Sequence, residues 1–218
     1  MFTVTQMQLM MDLQNRINSQ IDPDWLNTAN PFMLAASQEF GEAIDHYGWK
    51  WWKKQDPDMA QVRMEMVDIW HFMLSQIMLD IHNDPDKPTV GDYLNYSNFI
   101  DFKNIFDIDN LDLLPDVQLM RYLQAGACVD AVNVPIFLHL CLRFGLPESE
   151  LMRLYVGKNI LNSFRQNNGY KQGTYIKIWS GKEDNEYLTD IMSKLSLEDP
   201  DIETKVMAAL EDAYKNYA

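Results

Sequence analysis

Several features that would settle the class of a protein at once are missing from this chain of 218 residues. Cysteine is nearly absent. Cys128 and Cys141 lie in an apolar stretch without C-x-x-C spacing, and two thiols cannot staple a domain of this size. Both are therefore expected to be buried, reduced and cytosolic. No uncharged apolar run reaches the roughly 18 residues that a membrane span needs. The opening MFTVTQMQLMMDLQ has no basic n-region and no small-residue cleavage site, so no signal peptide is expected there. Positive charge is scarce: 18 Lys and Arg stand against 32 Asp and Glu, giving a formal charge of −14. That balance excludes a general nucleic-acid binder and a protein resting on an anionic membrane. Glycine and proline number only nine each, and runs of alternating β-branched residues are rare. A hydrophobic fraction of 47% excludes a disordered chain.

Helical periodicity fills the space these absences leave. It predicts helices over about 5–19, 31–47 and 59–82. The second has Phe40, Ala43, Ile44 and Tyr47 as its core stripe and ends at Gly48. The third is apolar on most sides, through Val62, Met66, Ile69, Trp70, Phe72, Met73 and Ile77, and so belongs at the centre. Helical character resumes over 117–144 with a break at Asn133-Val134-Pro135. Gly145-Leu146-Pro147 stops it, and further helices are expected over 148–165, 185–195 and 202–216. An ordered loop is expected over 167–182 and a smaller, mobile helical lobe over about 84–116. The expectation is one all-α, bundle-like domain spanning 1–218.

Two acidic pairs occupy neighbouring helices. Glu39 and Glu42 are three apart on one, Glu65 and Asp68 three apart on the next, so each pair shares a helical face. At 100° per residue Glu65 falls between Val62, Ile69 and Phe72, inside the apolar stripe, and Glu39 flanks its own stripe. An isolated carboxylate there costs several kcal/mol or is neutralised. If the helices pack antiparallel, four carboxylates converge, and hard oxygen ligands at that density suit Mg²⁺ or Mn²⁺. Such a site does phosphate chemistry. The competing reading is that both pairs are solvated. His71, next along, is a metal ligand, a substrate contact or a packing residue.

From Lys158 to Lys182 the chain carries five basic residues, Lys158, Arg165, Lys171, Lys177 and Lys182, and no acid. Lys158, Asn162 and Arg165 line one helical face, and two glycine turns bring Tyr170, Lys171, Tyr175 and Lys177 back nearby. This is a clamp for phosphate oxygens, or else a solvated face. Trp49, Trp51 and Trp52 follow Gly48; one stacks on a base, and two are expected in the core. Gln14 and Asn18 form an i, i+4 amide pair able to read a pyrimidine edge.

Together, Glu39-Phe-Gly-Glu42, Trp49-Lys-Trp-Trp52, Glu65-Met-Val-Asp68-Ile-Trp-His71 and Lys158-Asn-Ile-Leu-Asn162-Ser-Phe-Arg165-Gln-Asn-Asn-Gly-Tyr-Lys171 resemble the dimeric all-α dUTPase family, within the all-α nucleoside triphosphate pyrophosphohydrolases that include MazG-like enzymes. The resemblance runs from Gln14 to about Asn185, and the FRQxNGYK segment is its most specific part. It implies a homodimer that hydrolyses dUTP and dUDP to dUMP, and the scarcity of cysteine leads to the expectation that it is cytoplasmic. It implies that Glu39, Glu42, Glu65 and Asp68 hold Mg²⁺, with Mn²⁺ as a substitute, and that Glu39 activates the attacking water. Lys158, Arg165, Tyr170, Lys171 and Lys177 would hold phosphates, and Gln14, Asn18, Trp52, His71 and Asn162 would surround the nucleoside. Gly41 departs from relatives that carry a larger residue, away from the ligands. A broader dCTPase-dUTPase, a MazG-like hydrolase and an acidic helical interaction protein are the alternatives.

Overall fold

The computed structural model describes residues 2–84, 89–94, 111–196, 199 and 201–217. Among them are nine α-helices: α1 Val4–Ile21, α2 Phe32–Tyr47, α3 Met59–Asn83, α4 Val90–Leu94, α5 Asp116–Ala127, α6 Val134–Arg143, α7 Glu148–Asn167, α8 Asp184–Met192 and α9 Ile202–Tyr217. The chain is all-α, as its periodicity predicts. Local chemistry sets the boundaries. Thr3 and Gln6 close a capping box at the start of α1. The Asp58 carboxylate accepts from the Ala60 and Gln61 amides at the start of α3. Asn133 does the same for Ile136, with Pro135 in the first turn of α6.

α3 is the central rod. Val62, Met66, Ile69, Trp70, Met73 and Ile77 are all buried, and Phe72 is half-buried. Its most extensive partner is α2. The two run antiparallel: Asp58 N donates to His46 O where they join, and residue numbers on α2 fall as those on α3 rise along the seam. α1, α5, α6 and the first half of α7 complete this core. The second half of α7 enters another cluster, where Ile160, Leu161 and Phe164 meet Trp179, Leu188, Met192, Val206 and Leu210. α8 comes so close that a Cβ on Gly157 would stand 2.8 Å from Met192 Cγ. α7 is thus the shared wall of two apolar clusters.

Three sequence expectations are corrected. The segment 167–182 contains the first strand of a small hairpin, Ile178–Trp179 paired antiparallel with Lys182–Glu183. Its turn residues Ser180 and Gly181 both have positive φ, which two residues linking twisted strands require. Trp49, Trp51 and Trp52 are all exposed, none in the core. Gly48 turns the chain away from α2 in a left-handed conformation, and the three rings pack edge-on against one another. Cys128 is exposed at the end of α5, and only Cys141 is buried. Most of the lobe expected at 84–116 lies outside the described residues; of the remainder, Tyr93 and Leu94 belong to the main core. No described helix is long and apolar enough to cross a membrane.

Gly48 holds φ at 81°, and an added Cβ would come within 3.1 Å of Gln55 Cβ. Gly48→Ala is expected to lower unfolding stability by about 1 kcal/mol or more, read as a lower urea midpoint at unchanged slope.

Candidate active site

α2 and α3 carry the acids to their shared seam. Glu39, Glu42 and Glu65 each offer a carboxylate oxygen, and the three atoms lie within 4.8 Å of one another. Glu65 is buried, Glu39 half-buried and Glu42 exposed. Burial and the neighbouring charges of Asp68 and Glu42 push Glu39 up to about 7, against the pull of Lys158 and Lys177. Burial, Asp68 and Glu39 push Glu65 up to about 8. These are carboxylates that lack enough positive charge. His46, one turn beyond Glu42, sits 3.6 Å from Glu65. Its spacing from Glu39 and Glu42, at i, i+3 and i+7, puts it on the same face of α2.

Asp68 stands beside this trio and is held by a cation. Lys158 Nζ, almost fully buried, lies 2.9 Å from Asp68 and 3.0 Å from Asn185 Oδ1. Arg165 is engaged more tightly. Its Nε and Nη2 grip both oxygens of Asp184, at 2.8 and 2.7 Å, and Asp184 is completely buried. Tyr175 donates to the same carboxylate at 2.8 Å. Burial alone would raise the Asp184 carboxyl; the Arg165 guanidinium and the Tyr175 hydroxyl outweigh it and hold it below its ordinary range. The acid-free segment therefore meets its acids from outside itself. Asp184 escaped the sequence reading because it lies just past the segment's end, at the start of α8. Lys177 pairs with Glu183 at 3.1 Å on the surface, and Lys171 donates to Ile21 O.

Two adjoining clefts result. One, of about 330 Å³, is polar and lined by Glu39, Glu42, Glu65, Asp68, Lys158, Arg165, Tyr170 and Lys177, with His46, Gln61, Glu183 and Asn185. The other, of about 310 Å³, is lined by Gln14, Asn18, His71, Ser75 and Asn162, with apolar walls from Ile17, Ile21, Phe32 and Phe72. Glu39, Asp68, Arg165 and Tyr170 border both. Lys171 and Trp52 line neither. Within the second cleft Gln14 donates to Asn18, and His71 Nδ1 lies 2.7 Å from Gln14 Oε1.

An all-helical domain with a carboxylate trio, a cationic wall and a half-apolar annexe defines a nucleotide hydrolase. A family model described as dUTPase matches residues 6–170, and the chain belongs to that family. Its activity is that of a dUTP diphosphatase, acting on a nucleotide. The family carries a divalent-metal requirement, and the carboxylate trio supplies hard oxygen donors for it. No curated protein matches the chain. The hairpin, α8 and α9, which carry Asp184, lie beyond the matched residues.

The two kinds of carboxylate give opposite pH effects. Glu39 and Glu65 have folded pKa values above the ordinary 4.5, so their folded state holds protons more tightly. Stability is full below that value and declines as pH rises towards 7 and 8. With a chelator present, the urea midpoint is expected to fall between pH 5 and 8, Glu65→Gln to flatten the fall, and a divalent cation to reverse it at pH 8. Asp184 has a lowered pKa, so its contribution is present at neutral pH and lost below about pH 4. Asp184→Ala strands the Arg165 charge and is expected to cost about 3 kcal/mol or more at pH 7, measured by urea unfolding.

Proposed function

We propose that this enzyme hydrolyses dUTP, and dUDP, to dUMP with Mg²⁺ bound at Glu39, Glu42, Glu65 and Asp68, and that Mn²⁺ can replace it. The observation that carries this reading is the carboxylate trio within 4.8 Å, two members of which are pushed up to about 7 and 8. Acids so placed, partly buried and short of positive charge, fit cation ligation better than solvation. The bound cations supply charge neutralisation for the phosphate oxygens and acidify a water.

The chain's own groups do the rest. Glu39 borders both clefts, so it stands where nucleoside and phosphates join. It orients the attacking water and takes its proton. Attack falls on the β-phosphorus and breaks its bond to the α–β bridging oxygen, which leaves with dUMP; the water oxygen ends in pyrophosphate from dUTP and in phosphate from dUDP. Lys158, Arg165, Tyr170 and Lys177 face the phosphates from the opposite wall. Lys158 and Arg165 are fixed in advance by Asp68 and Asp184, so little ordering remains when charge develops on the leaving oxygens. Lys171 lies outside the polar cleft and holds the end of α1 through Ile21 O. Gln14, Asn18, His71 and Asn162 surround the nucleoside in the annexe, whose size and half-apolar walls suit one pyrimidine and its sugar. Trp52 reaches the base only if the exposed 49–57 segment moves. The working form is a cytoplasmic homodimer with one hydrolase domain per chain.

The test is dUMP release by the purified protein from dUTP with Mg²⁺, with dCTP beside it. Turnover of dUTP is expected, lost with chelator and restored by Mg²⁺. Glu65→Gln is expected to lower kcat by at least about 100-fold with thermal stability unchanged or raised. Full activity in that variant refutes the metal assignment.

A further inference from the structure

In the annexe a ring of hydrogen bonds starts and finishes on one residue. The Ser75 hydroxyl lies 3.0 Å from the backbone carbonyl of His71, four residues earlier on α3. A carbonyl has no proton to give, so Ser75 directs its single proton there. Its lone pair then accepts from Asn18 Nδ2 at 3.0 Å. Asn18 Oδ1 is thereby turned towards Gln14, whose Nε2 donates to it across 3.0 Å. Gln14 Oε1 is left facing His71 Nδ1 at 2.7 Å. Two acceptors cannot bond at that distance, so Nδ1 carries the proton.

The opposite polarity would turn both amides over and leave the Ser75 lone pair against the His71 carbonyl. The Tyr155 hydroxyl gives its single proton chiefly to Met10 O at 2.7 Å and lies 3.1 Å from Gln14 Oε1, so the polarity is set at the Ser75 end. The Tyr155 ring covers the imidazole at a centroid distance of 4.3 Å. Burial pushes His71 down to about 3, so the ring is neutral and has one N–H. Its Nε2 is consequently a bare lone pair, buried and without a hydrogen-bond partner among the described residues.

We propose that Ser75 is a positioning residue: through Asn18 and Gln14 it fixes His71 as the Nδ1–H tautomer, so that Nε2 selects a ligand bearing an N–H or O–H donor. The proposal rests on reading the annexe as the nucleoside end. A deoxyuridine nucleotide offers two such donors, the imide N3–H of uracil and the 3′-hydroxyl of the sugar. Cytosine has no proton on N3, so at the base edge it would set a lone pair against a lone pair.

The tautomer is readable without substrate. Long-range ¹H–¹⁵N spectra of the labelled protein, with His71 assigned by difference from His71→Gln, are expected to show Nδ1 protonated and Nε2 bare. Ser75→Ala removes one oxygen and is expected to mix the tautomers. It should also raise KM for dUTP about tenfold with kcat changed less than about threefold, one hydrogen bond's worth. The two donors separate by substrate. If the imide is the partner, Ser75→Ala narrows the preference for dUTP over dCTP. If the hydroxyl is, the 2′,3′-dideoxy analogue of dUTP is already about tenfold weaker and loses nothing further in Ser75→Ala. An Nε2–H tautomer in the wild type, or a Ser75→Ala protein with tautomer and KM unchanged, overturns the proposal. A wild type with the expected tautomer but no dUTP turnover supports the relay and refutes the nucleotide reading of the cleft.

Discussion

α2 and α3 bury their apolar stripes against each other, and Glu65 lies inside that seam because Val62, Met66 and Ile69 on either side of it must be there. Antiparallel packing then sets Glu39 and Glu42 opposite it. The apolar contacts hold three carboxylates within a distance at which they repel. The acids answer by holding protons to unusually high pH, or by taking up cations. The seam thus converts packing free energy into a standing demand for positive charge.

The cationic wall is built on the reverse logic. Lys158 and Arg165 are buried, and a buried cation without a partner is costly. Each has one: Asp68 for Lys158, Asp184 for Arg165. The second pair reaches furthest, because Asp184 begins α8 and also takes a bond from Tyr175. Through it the hairpin and the last two helices, which lie outside the dUTPase match, are tied to the wall of the site. Gly157 permits the same approach by leaving room for Met192. The C-terminal part of the chain is therefore a buttress for Arg165, not an appendage.

What could be read from the sequence follows from how local each cause is. The helix stop at Gly48, the break at Asn133-Val134-Pro135 and helix starts near 5 and 59 depend on causes within a few residues, and they were legible. So was the anomaly of Glu65, since its position in an apolar stripe is a matter of periodicity alone. The burial of Glu65 between two helices, the convergence with Glu39 and Glu42, and the basic face on α7 all followed from spacing once two helices were assumed to pack. What escaped depends on distant partners. Nothing near Arg165 in the sequence announces Asp184, nineteen positions on and across a hairpin. Aromatic character suggested a core for the tryptophans, yet the turn at Gly48 decides that they lie outside. The polarity of the Gln14–Asn18 pair was invisible, because it is set from Ser75 on another helix.

The net charge of −14 takes on a more exact meaning at the polar cleft. Five carboxylates line it, Glu39, Glu42, Glu65, Asp68 and Glu183, against three cationic side chains, Lys158, Arg165 and Lys177. Two of those cations are already neutralised by buried or half-buried acids, and the third meets Glu183 at the surface. A triphosphate carrying about four negative charges gains nothing from such a wall on its own. On the proposed reading it enters because the carboxylate trio recruits divalent cations, and those cations, not the lysines, supply most of the attraction. The lysines and Arg165 then fix geometry in a cleft whose carboxylates outnumber its cationic side chains.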